Sequence, residues 1–346
     1  MNKVNPGFSR FCFKRTNFRK GHVMGIQIYE DEVKGYQEEP GVTHIEIPQG
    51  TTCIDDHAFC ECKNITSVTI PDSVTYIGDT AFFGCTDLKS IVIPQSVKYI
   101  GTHAFDGCTN LRSVTILNPE ISLESDVFKG TAWLVECEDD FVCSGSILVF
   151  YKGNAQNVII PDEITNIGGF AFRQNHLQSV TFPESVKSID SYAFYGCPNL
   201  SSITFSNRVK RIGAHAFQCC SQLQEVSIGN GVEVIQEAAF MQCKKMSRLT
   251  LGERVATIEN YAFYACESLE SVVFPDSVVS IGEEAFNFCS SLTSITFGRG
   301  VKNVADYAFY VCPNLKYVVI PVHIPMLSEY VYQPDCENAS KLFRNP

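Results

Sequence analysis

The sequence lacks any apolar run of about 20 residues, so it contains no candidate for a membrane-spanning helix. Residues 1–23 hold six Lys and Arg and no acid, but no apolar run of about seven to fifteen residues follows them, unlike a secretory signal. We therefore predict a disordered basic extension over residues 1–23. The expected location is cytoplasmic, and the alternative is the cell surface, reached by a route not visible in the sequence.

Positive charge is scarce in the rest of the chain. The 346 residues carry a net charge of −11, and because residues 1–23 contribute +6, the remainder carries −17. An acidic body repels phosphate backbones, which argues against nucleic acid as a partner. With 45% hydrophobic and 19% charged residues, the chain is suited to a long continuous core rather than to global disorder.

Catalytic signatures are also missing. The sequence has no G-x-S-x-G elbow, no phosphate-binding G-x-x-x-x-G-K-[ST] loop and no papain-like cysteine motif. Carboxylates such as Asp72, Glu184 and Asp276 occupy predicted turns, where turn chemistry explains them. We therefore predict no enzyme activity, no catalytic residue and no cofactor.

A 23-residue repeat organises most of the chain. Its clearest marker is an Ala-Phe pair, once replaced by Val-Phe, which recurs every 23 residues apart from one step of 22 and one interruption. Periods of about 20–29 residues with an L-x-x-L-x-L pattern are typical of leucine-rich repeats, in which each turn of a solenoid supplies one strand. The phenylalanines of the marker are Phe59, Phe82, Phe105, Phe128, Phe172, Phe194, Phe217, Phe240, Phe263, Phe286 and Phe309.

The stretch LKSIVIPQSVKYIGTHAFDGC, residues 88–108, shows one repeat in full. Leu88, Ile91 and Ile93 are predicted to point inward from a short parallel strand. Pro94 has no amide hydrogen and ends that strand. Phe105 should fill the back of the coil, and Cys108 should pack as a small apolar residue.

The pattern LxxIxIPxxVxxIGxxAFxxC resembles the BspA-like subgroup of leucine-rich repeat proteins over most of residues 42–320, and it recurs in LESVVFPDSVVSIGEEAFNFC, residues 269–289. The resemblance implies a curved, right-handed leucine-rich repeat solenoid, a β/α-type coil stack with short parallel strands on its concave face and little helix. It also implies kinship with bacterial and protist proteins, many of them surface proteins implicated in adhesion and binding. Unlike those surface members, this sequence shows no signal peptide or anchor.

The register breaks once, within residues 130–161. The alternating sequence DFVCSGSILVFY, with Ser-Gly at its centre, predicts a β-hairpin that projects from the stack. Residues 26–48 look like a looser copy of this hairpin. The predicted segments after residue 23 are an N-terminal hairpin-like cap with the first strand (24–48), a first repeat block (49–133), an inserted hairpin (134–155), a second repeat block (156–320) and a C-terminal cap and tail (321–346).

Nine of the sixteen cysteines occupy one repeat position. We expect them to be buried free thiols, because neighbouring copies form a continuous ladder and a chain without a signal stays in a reducing compartment. Zinc sites usually need four ligands in closely spaced pairs, which neither His57-Cys60-Cys62 nor His215-Cys219-Cys220 supplies. We therefore predict no metal site, and keep a thiol-rich redox or metal-binding protein as a second alternative. The nine are Cys62, Cys85, Cys108, Cys197, Cys220, Cys243, Cys266, Cys289 and Cys312.

The remaining candidate for function is the surface. Outward strand positions are mostly Ser and Thr. These residues either form a binding sheet or are simply tolerated on an exposed strand. Among the outward positions, Arg248 and Tyr317 alone are of the residue types typical of interfaces. A YAFY motif recurs at residues 192–195, 261–264 and 307–310 on the return side of the coils.

The interruption contains Phe141, Phe150, Tyr151 and Trp133, the single tryptophan. This region either plugs the junction between blocks or is the partner-specific element; if the latter, deleting residues 137–153 should abolish partner capture and leave the fold intact. The predicted function is a non-catalytic recognition scaffold for a protein, or less readily a glycan, acting through the concave sheet or the hairpin. Adhesion at a bacterial or protist cell surface is the first alternative.

Overall fold

The computed structural model describes residues 22–23, 25–321 and 342–345. Nearly all of the predicted basic extension and most of the predicted C-terminal cap lie outside the described residues, including Met326, Leu327, Tyr330 and Tyr332. The boundaries of the six predicted segments stay a prediction.

The described chain is a β-solenoid of about 13 turns with almost no helix. Each regular coil contains one strand of three to five residues, here called a long strand, followed by a two-residue short strand. The two kinds of strand form separate parallel ladders along the stack, and the predicted leucine-rich repeat solenoid fold is confirmed.

The first part of the chain opens with an antiparallel hairpin and continues as four coils. Its strands are β1 (His22–Val23), β2 (Ile26–Tyr29), β3 (Glu32–Tyr36), β4 (His44–Glu46), β5 (Cys53–Ile54), β6 (Ser67–Thr69), β7 (Tyr76–Ile77), β8 (Ser90–Ile93), β9 (Tyr99–Ile100), β10 (Ser113–Ile116) and β11 (Ser122–Leu123).

A short helix and a second hairpin interrupt the stack before it resumes. They are α1 (Ala132–Glu136), β12 (Phe141–Ser144) and β13 (Ile147–Tyr151). The coils that follow contain β14 (Asn157–Ile159), β15 (Asn166–Ile167), β16 (Ser179–Thr181), β17 (Ser188–Ile189), β18 (Ser202–Thr204), β19 (Arg211–Ile212), β20 (Glu225–Ser227), β21 (Val234–Ile235), β22 (Arg248–Thr250), β23 (Thr257–Ile258), β24 (Ser271–Val273), β25 (Ser280–Ile281), β26 (Ser294–Thr296), β27 (Asn303–Val304), β28 (Tyr317–Pro321) and β29 (Leu342–Asn345).

The ladder register follows the sequence repeat. Ser113 pairs with Ser90 and Ile100 with Ile77, so equivalent residues of successive coils lie side by side. Long strands alternate buried and exposed residues, as in β8, where Ile91 and Ile93 are buried and Ser90 and Val92 are exposed. Consequently each core position is repeated down the whole stack.

The core is dominated by stacked phenylalanine rings. Phe82 and Phe105 lie 5.0 Å apart between ring centroids and 3° from parallel, and the rings of Phe217 and Phe240 lie 5.2 Å apart. All of these rings are buried, and they form one column in each of two hydrophobic cores. The two cores meet at β13.

The coils close through backbone turns with positive φ. The residue before each Ala-Phe pair has φ between 51° and 61° in every described copy, although none of these residues is glycine. Glycine is required at a different place for a different reason. A Cβ on Gly101 would lie 2.6 Å from the amide nitrogen of Asp79 in the preceding coil, so only glycine allows the coils to approach.

The second hairpin does not project from the stack, and this part of the sequence prediction is wrong. β13 pairs in parallel with β15 and begins the short-strand ladder of the later coils. Its Ile147 and Val149 pack into the first core, whereas Leu148 and Tyr151 pack into the second. Apolar residues on both sides of β13 make an internal position more stable than an exposed one. β3 has the same role at the N-terminal end, where it pairs with β5.

Candidate recognition surface

The long strands present rows of exposed side chains on three successive ladders, here called together the long-strand face. It comprises the outward residues of β4, β6, β8 and β10 and, after the interruption, those of β14, β16, β18, β20, β22, β24, β26 and β28. Hydroxyl side chains predominate, and the most exposed apolar residues on the face are Ile159, Val273 and Tyr317. Because the strands are in register within each ladder, every ladder offers two parallel columns of side chains.

The structure places both predicted interface residues of the sheet on this face. Tyr317 lies on β28 and is 54% exposed. Arg248 lies on β22, and its Nη1 donates a hydrogen bond of 2.7 Å to Oε1 of Glu225 on β20. Both members of this ion pair are largely exposed, so it contributes little to stability and leaves both charges accessible to a partner.

Trp133 lies at the end of the first ring column. The indole contacts Phe128 edge-on, with ring centroids 5.3 Å apart and an interplanar angle of 82°. Trp133 is half-buried and packs against the first core. Its position matches a cap on the column better than a surface anchor.

Tyr151 begins the second ring column. It is 4% exposed, its ring lies 4.9 Å from Phe172 on one side and 4.9 Å from Phe141 on the other, and it is therefore unavailable to a partner. Tyr36 of β3 caps Phe59 in the same way, at 5.6 Å. Phe141 and Phe150 are half-buried on the hairpin. The six predicted site residues thus divide between the hairpin junction and the long-strand face, and they do not form one site.

Buried polar side chains gather where the two cores meet, a feature that the sequence analysis missed. Strand β11 is the last strand of its sheet. Side chains, rather than the backbone of a further strand, form the hydrogen bonds along its outer edge. The Nδ2 group of Asn166 donates to the carbonyl oxygen of Ile121 at 3.1 Å, and the Asp190 carboxylate accepts from the amide of Leu123. At the neighbouring long-strand edge the Ile116 amide donates to Ser144 Oγ at 2.9 Å. These bonds satisfy backbone groups that burial would otherwise leave unpaired.

Asp190 is the most deeply buried acid among the described residues. Its Oδ1 accepts a hydrogen bond of 2.6 Å from Nη2 of Arg211, and its Oδ2 lies 3.3 Å from Nδ2 of Asn166. Burial raises the pKa of Asp190 to about 6, against the opposing effect of Arg211. The one sequence signal was its place in the repeat, since Asp190 stands where Gly168 and Gly213 stand in the adjacent coils.

The repeat cysteines are buried free thiols, as predicted. Eight of the nine donate through Sγ to a backbone carbonyl of the preceding coil, for example Cys108 to Phe82 at 3.1 Å and Cys243 to Phe217 at 3.2 Å. Burial raises the pKa of the Cys266 thiol, which keeps it protonated and able to donate.

The two other cysteine clusters have ordinary local partners. The Cys219 Sγ donates to Oε1 of Gln242 at 3.2 Å, and Cys220 donates to Phe194 in the core. Nδ1 of His215 lies 2.7 Å from Oε1 of Gln218, and its ring stacks on Tyr192 at 4.5 Å. Within residues 25–321, no group of three or more His, Cys, Asp or Glu side chains is arranged to hold a metal ion.

Among the residues that the structure describes, no helix has the length and apolar character needed to cross a membrane. No functionally curated protein matches the sequence significantly.

Several solved bacterial structures resemble the chain. A leucine rich cell surface protein from Faecalibacterium prausnitzii is 27% identical, with 90% of this chain and 89% of that one covered and a TM-score of 0.38. A leucine-rich repeat protein from Bacteroides ovatus is 25% identical, with coverage of 97% and 100% and a TM-score of 0.35. A leucine rich repeat protein from T. pallidum is 31% identical, with coverage of 50% and 72% and a TM-score of 0.42.

The sequence model of the BspA type leucine rich repeat region matches residues 33–138, 148–270 and 256–343, in six copies. These ranges cover most of the chain. The 23-residue coils, the phenylalanine columns and the cysteine ladder agree with the match. The chain belongs to the BspA-type family of leucine-rich repeat proteins.

Proposed function

We propose that this chain is a non-catalytic recognition scaffold that binds a protein partner through its long-strand face. The observation that carries the proposal is the set of exposed side chains on twelve long strands from β4 to β28, which form three ladders of four, five and three in-register strands. A solenoid presents such a set over a length that compact domains do not reach, and repeat proteins use extended surfaces of this kind for binding. A shared fold does not specify a function, so the binding role of the long-strand face calls for a direct experiment.

The composition of the face favours a protein over a glycan. Its hydroxyl groups are interspersed with apolar side chains, of which Ile159 is 73% and Val273 is 63% exposed. Tyr317 and the Arg248–Glu225 pair add an aromatic ring and two charges that a protein partner can complement. Since the hairpin strand β13 is internal, we assign binding to the face rather than to a projecting hairpin.

The proposal is tested by adding bulk and charge to the middle of the face. Thr204→Arg combined with Thr250→Arg places two arginines on exposed positions of β18 and β22. We expect this double variant to capture its partner from the native cell at least about tenfold less than the unmodified chain, because an interface tolerates few unpaired charges.

A matched control adds the same charge to the short strands. Thr257→Arg combined with Asn303→Arg modifies β23 and β27 and should leave capture unchanged. Equal capture by both variants, or loss only in the control, would exclude the long-strand face as the binding surface.

The cellular location stays a prediction, and it decides which partners are available. Protease treatment of intact cells distinguishes the cytoplasmic location from the cell-surface alternative. Digestion by an added protease would support adhesion at the surface, and protection would support an internal scaffold.

A further inference from the structure

The last coils carry a second surface that the long-strand face does not include, with two exposed rings, Phe288 and Tyr307, beside partly exposed tyrosines. It lies on the turns around the Ala-Phe pairs and is here called the tyrosine surface. Its members are Tyr261, Tyr264, Glu284, Phe288, Tyr307 and Tyr310. The rings form two contacting groups. In the first, the ring centroid of Tyr264 lies 5.4 Å from that of Phe288 and 5.9 Å from that of Tyr261. In the second, the centroids of Tyr307 and Tyr310 are 5.2 Å apart.

Phe288 is not explained by the stability of the fold. It is 42% exposed and has a φ of 61°, a conformation that is unfavourable for a bulky side chain. Glycine occupies the equivalent position at Gly84, Gly107, Gly130 and Gly196. The solenoid therefore accepts glycine at this turn, and Phe288 is the one copy among those with positive φ that has a phenyl ring. The other copies with positive φ are Glu61, Gln174, Cys219, Gln242 and Ala265. A large apolar ring that is exposed at a turn where the other coils have glycine, alanine, cysteine or polar residues points to a role outside folding.

The turn segments that contain these rings include acids and no bases. Residues 255–266, 278–290 and 303–312 contain Glu259, Glu283, Glu284 and Asp306 and no Lys or Arg. The Glu284 carboxylate is the largest influence on the neighbouring phenol, where it raises the pKa of Tyr261. A comparable group of rings lies on earlier turns, where Tyr192 contacts Phe170 and Tyr195, but there Arg173 already lies over the Phe170 ring, 5.1 Å from its centroid.

We propose that the tyrosine surface binds an arginine-containing extended segment of a partner protein. Guanidinium groups stack on aromatic faces and form paired hydrogen bonds with carboxylates, and this surface presents both groups together. The negative charge attracts such a segment, and the rings distinguish it from a simple counter-ion. This surface is independent of the long-strand face, so the two proposals can fail separately.

The test measures binding of a fluorescent ten-residue peptide of alternating Gly and Arg to the full chain by fluorescence anisotropy at physiological salt. An otherwise identical Gly-Glu peptide serves as the negative ligand. We expect Phe288→Gly to weaken binding of the arginine peptide by about threefold to tenfold, in line with the loss of a cation–π contact. Glu283→Gln with Glu284→Gln should weaken it by a comparable factor or more.

Two controls separate this surface from general acidity and general aromatic exposure. Glu138→Gln with Asp139→Asn removes two exposed acids from the loop before β12, and Tyr76→Ala removes an exposed ring that stacks on Tyr99 in the short-strand ladder. Both should change the affinity by less than about twofold, as substitutions outside an interface do. The midpoint of urea unfolding should not fall in Phe288→Gly, since glycine suits this turn.

The proposal is overturned if the arginine peptide does not bind, or if Phe288→Gly binds it as tightly as the unmodified chain. It is also overturned if the Glu138 and Asp139 control weakens binding as much as the substitution of Glu283 and Glu284. That result would show that the peptide responds only to the net charge of −11.

Discussion

At the scale of the residue, the repeat cysteine does more than fill space. The carbonyl oxygen of Phe82 accepts both the backbone amide of Cys85 and the thiol of Cys108 from the next coil. A thiol is a weak donor, but in a dry core it occupies the second lone pair of that carbonyl. This bond explains why cysteine, rather than alanine or valine, suits a position that the sequence identified only as small and apolar.

The thiol ladder makes a prediction about reactivity. At pH 8 in the folded protein, the nine repeat thiols should not react with a thiol reagent, because all nine are buried and burial also raises the pKa of Cys243 and Cys289. Half-buried Cys53, Cys60 and Cys143, whose pKa values burial raises to about 11, should react slowly. A reagent such as dithionitrobenzoate, followed spectroscopically with and without denaturant, measures both classes.

Unfolding without reductant should expose all sixteen thiols. A much smaller number would reveal disulfides and favour the thiol-rich redox alternative. Rapid reaction of the repeat thiols in the folded protein would contradict their burial.

At the scale of the element, the hairpin β12–β13 is a partition between two cores. It separates the two ring columns, and the polar residues beside it satisfy strand edges that face no following strand. Asn166 and Asp190 supply bonds to β11, and Ser144 supplies one to β10. The solenoid is continuous across the interruption because these side chains replace missing backbone partners.

Removing the Asp190 carboxylate should destabilise the junction. Asp190→Ala leaves the amide of Leu123 without its acceptor and removes one hydrogen-bond partner each from Asn166 and Arg211, which costs about 1–3 kcal/mol in a buried site. Asp190→Asn retains an acceptor and should cost less. Urea unfolding at pH 7 compares the two, and equal stability of the alanine variant and the unmodified chain would contradict this assignment.

The same residue predicts a pH dependence. The pKa of Asp190 is raised from 3.8 to about 6 in the folded chain, so folding favours its protonated form. Its contribution to stability is therefore greatest below about pH 4 and declines as the pH rises through about 6, by at most about 3 kcal/mol. The stability difference between the unmodified chain and Asp190→Asn should shift in favour of the unmodified chain from pH 7 to pH 5. A difference that does not change with pH would exclude a raised pKa.

At the scale of the whole molecule, stability is the sum of neighbouring coil contacts and depends on an intact interruption. Deleting residues 137–153 should unfold the junction and not leave the fold intact, because β13 supplies buried residues to both cores. Deleting residues 225–247, one complete repeat, joins Gln224 to Arg248 in register and should preserve a cooperative β-solenoid.

Circular dichroism with thermal unfolding measures the two deletions side by side. The repeat deletion controls for the loss of chain length, since it removes 23 residues against 17. A folded hairpin deletion, with an unfolding midpoint like that of the unmodified chain, would show that the interruption is dispensable.

The sequence predicts the structural features that recur in every repeat. Equivalent residues of neighbouring coils lie one repeat apart, so the stacking of Phe82 on Phe105 and the pairing of Ile91 with Val114 follow from the period alone. The two hairpins also have local signals, in their alternation and turn residues. Arg248 and Tyr317 were found because strand alternation alone decides which residues face outward.

Tertiary structure decided the features that occur only once. The sequence left two roles open for Trp133 and Tyr151, a plug at the junction or a partner contact, and the ring columns that they cap are formed only when separate coils stack. Asn166 bonds to Ile121 across 45 residues, and Asp190 closes the same edge. Contacts between neighbouring coils are predictable because the repeat fixes the number of residues between the partners. A contact across the interruption occurs only once, so no repeat in the sequence reveals which residues it joins.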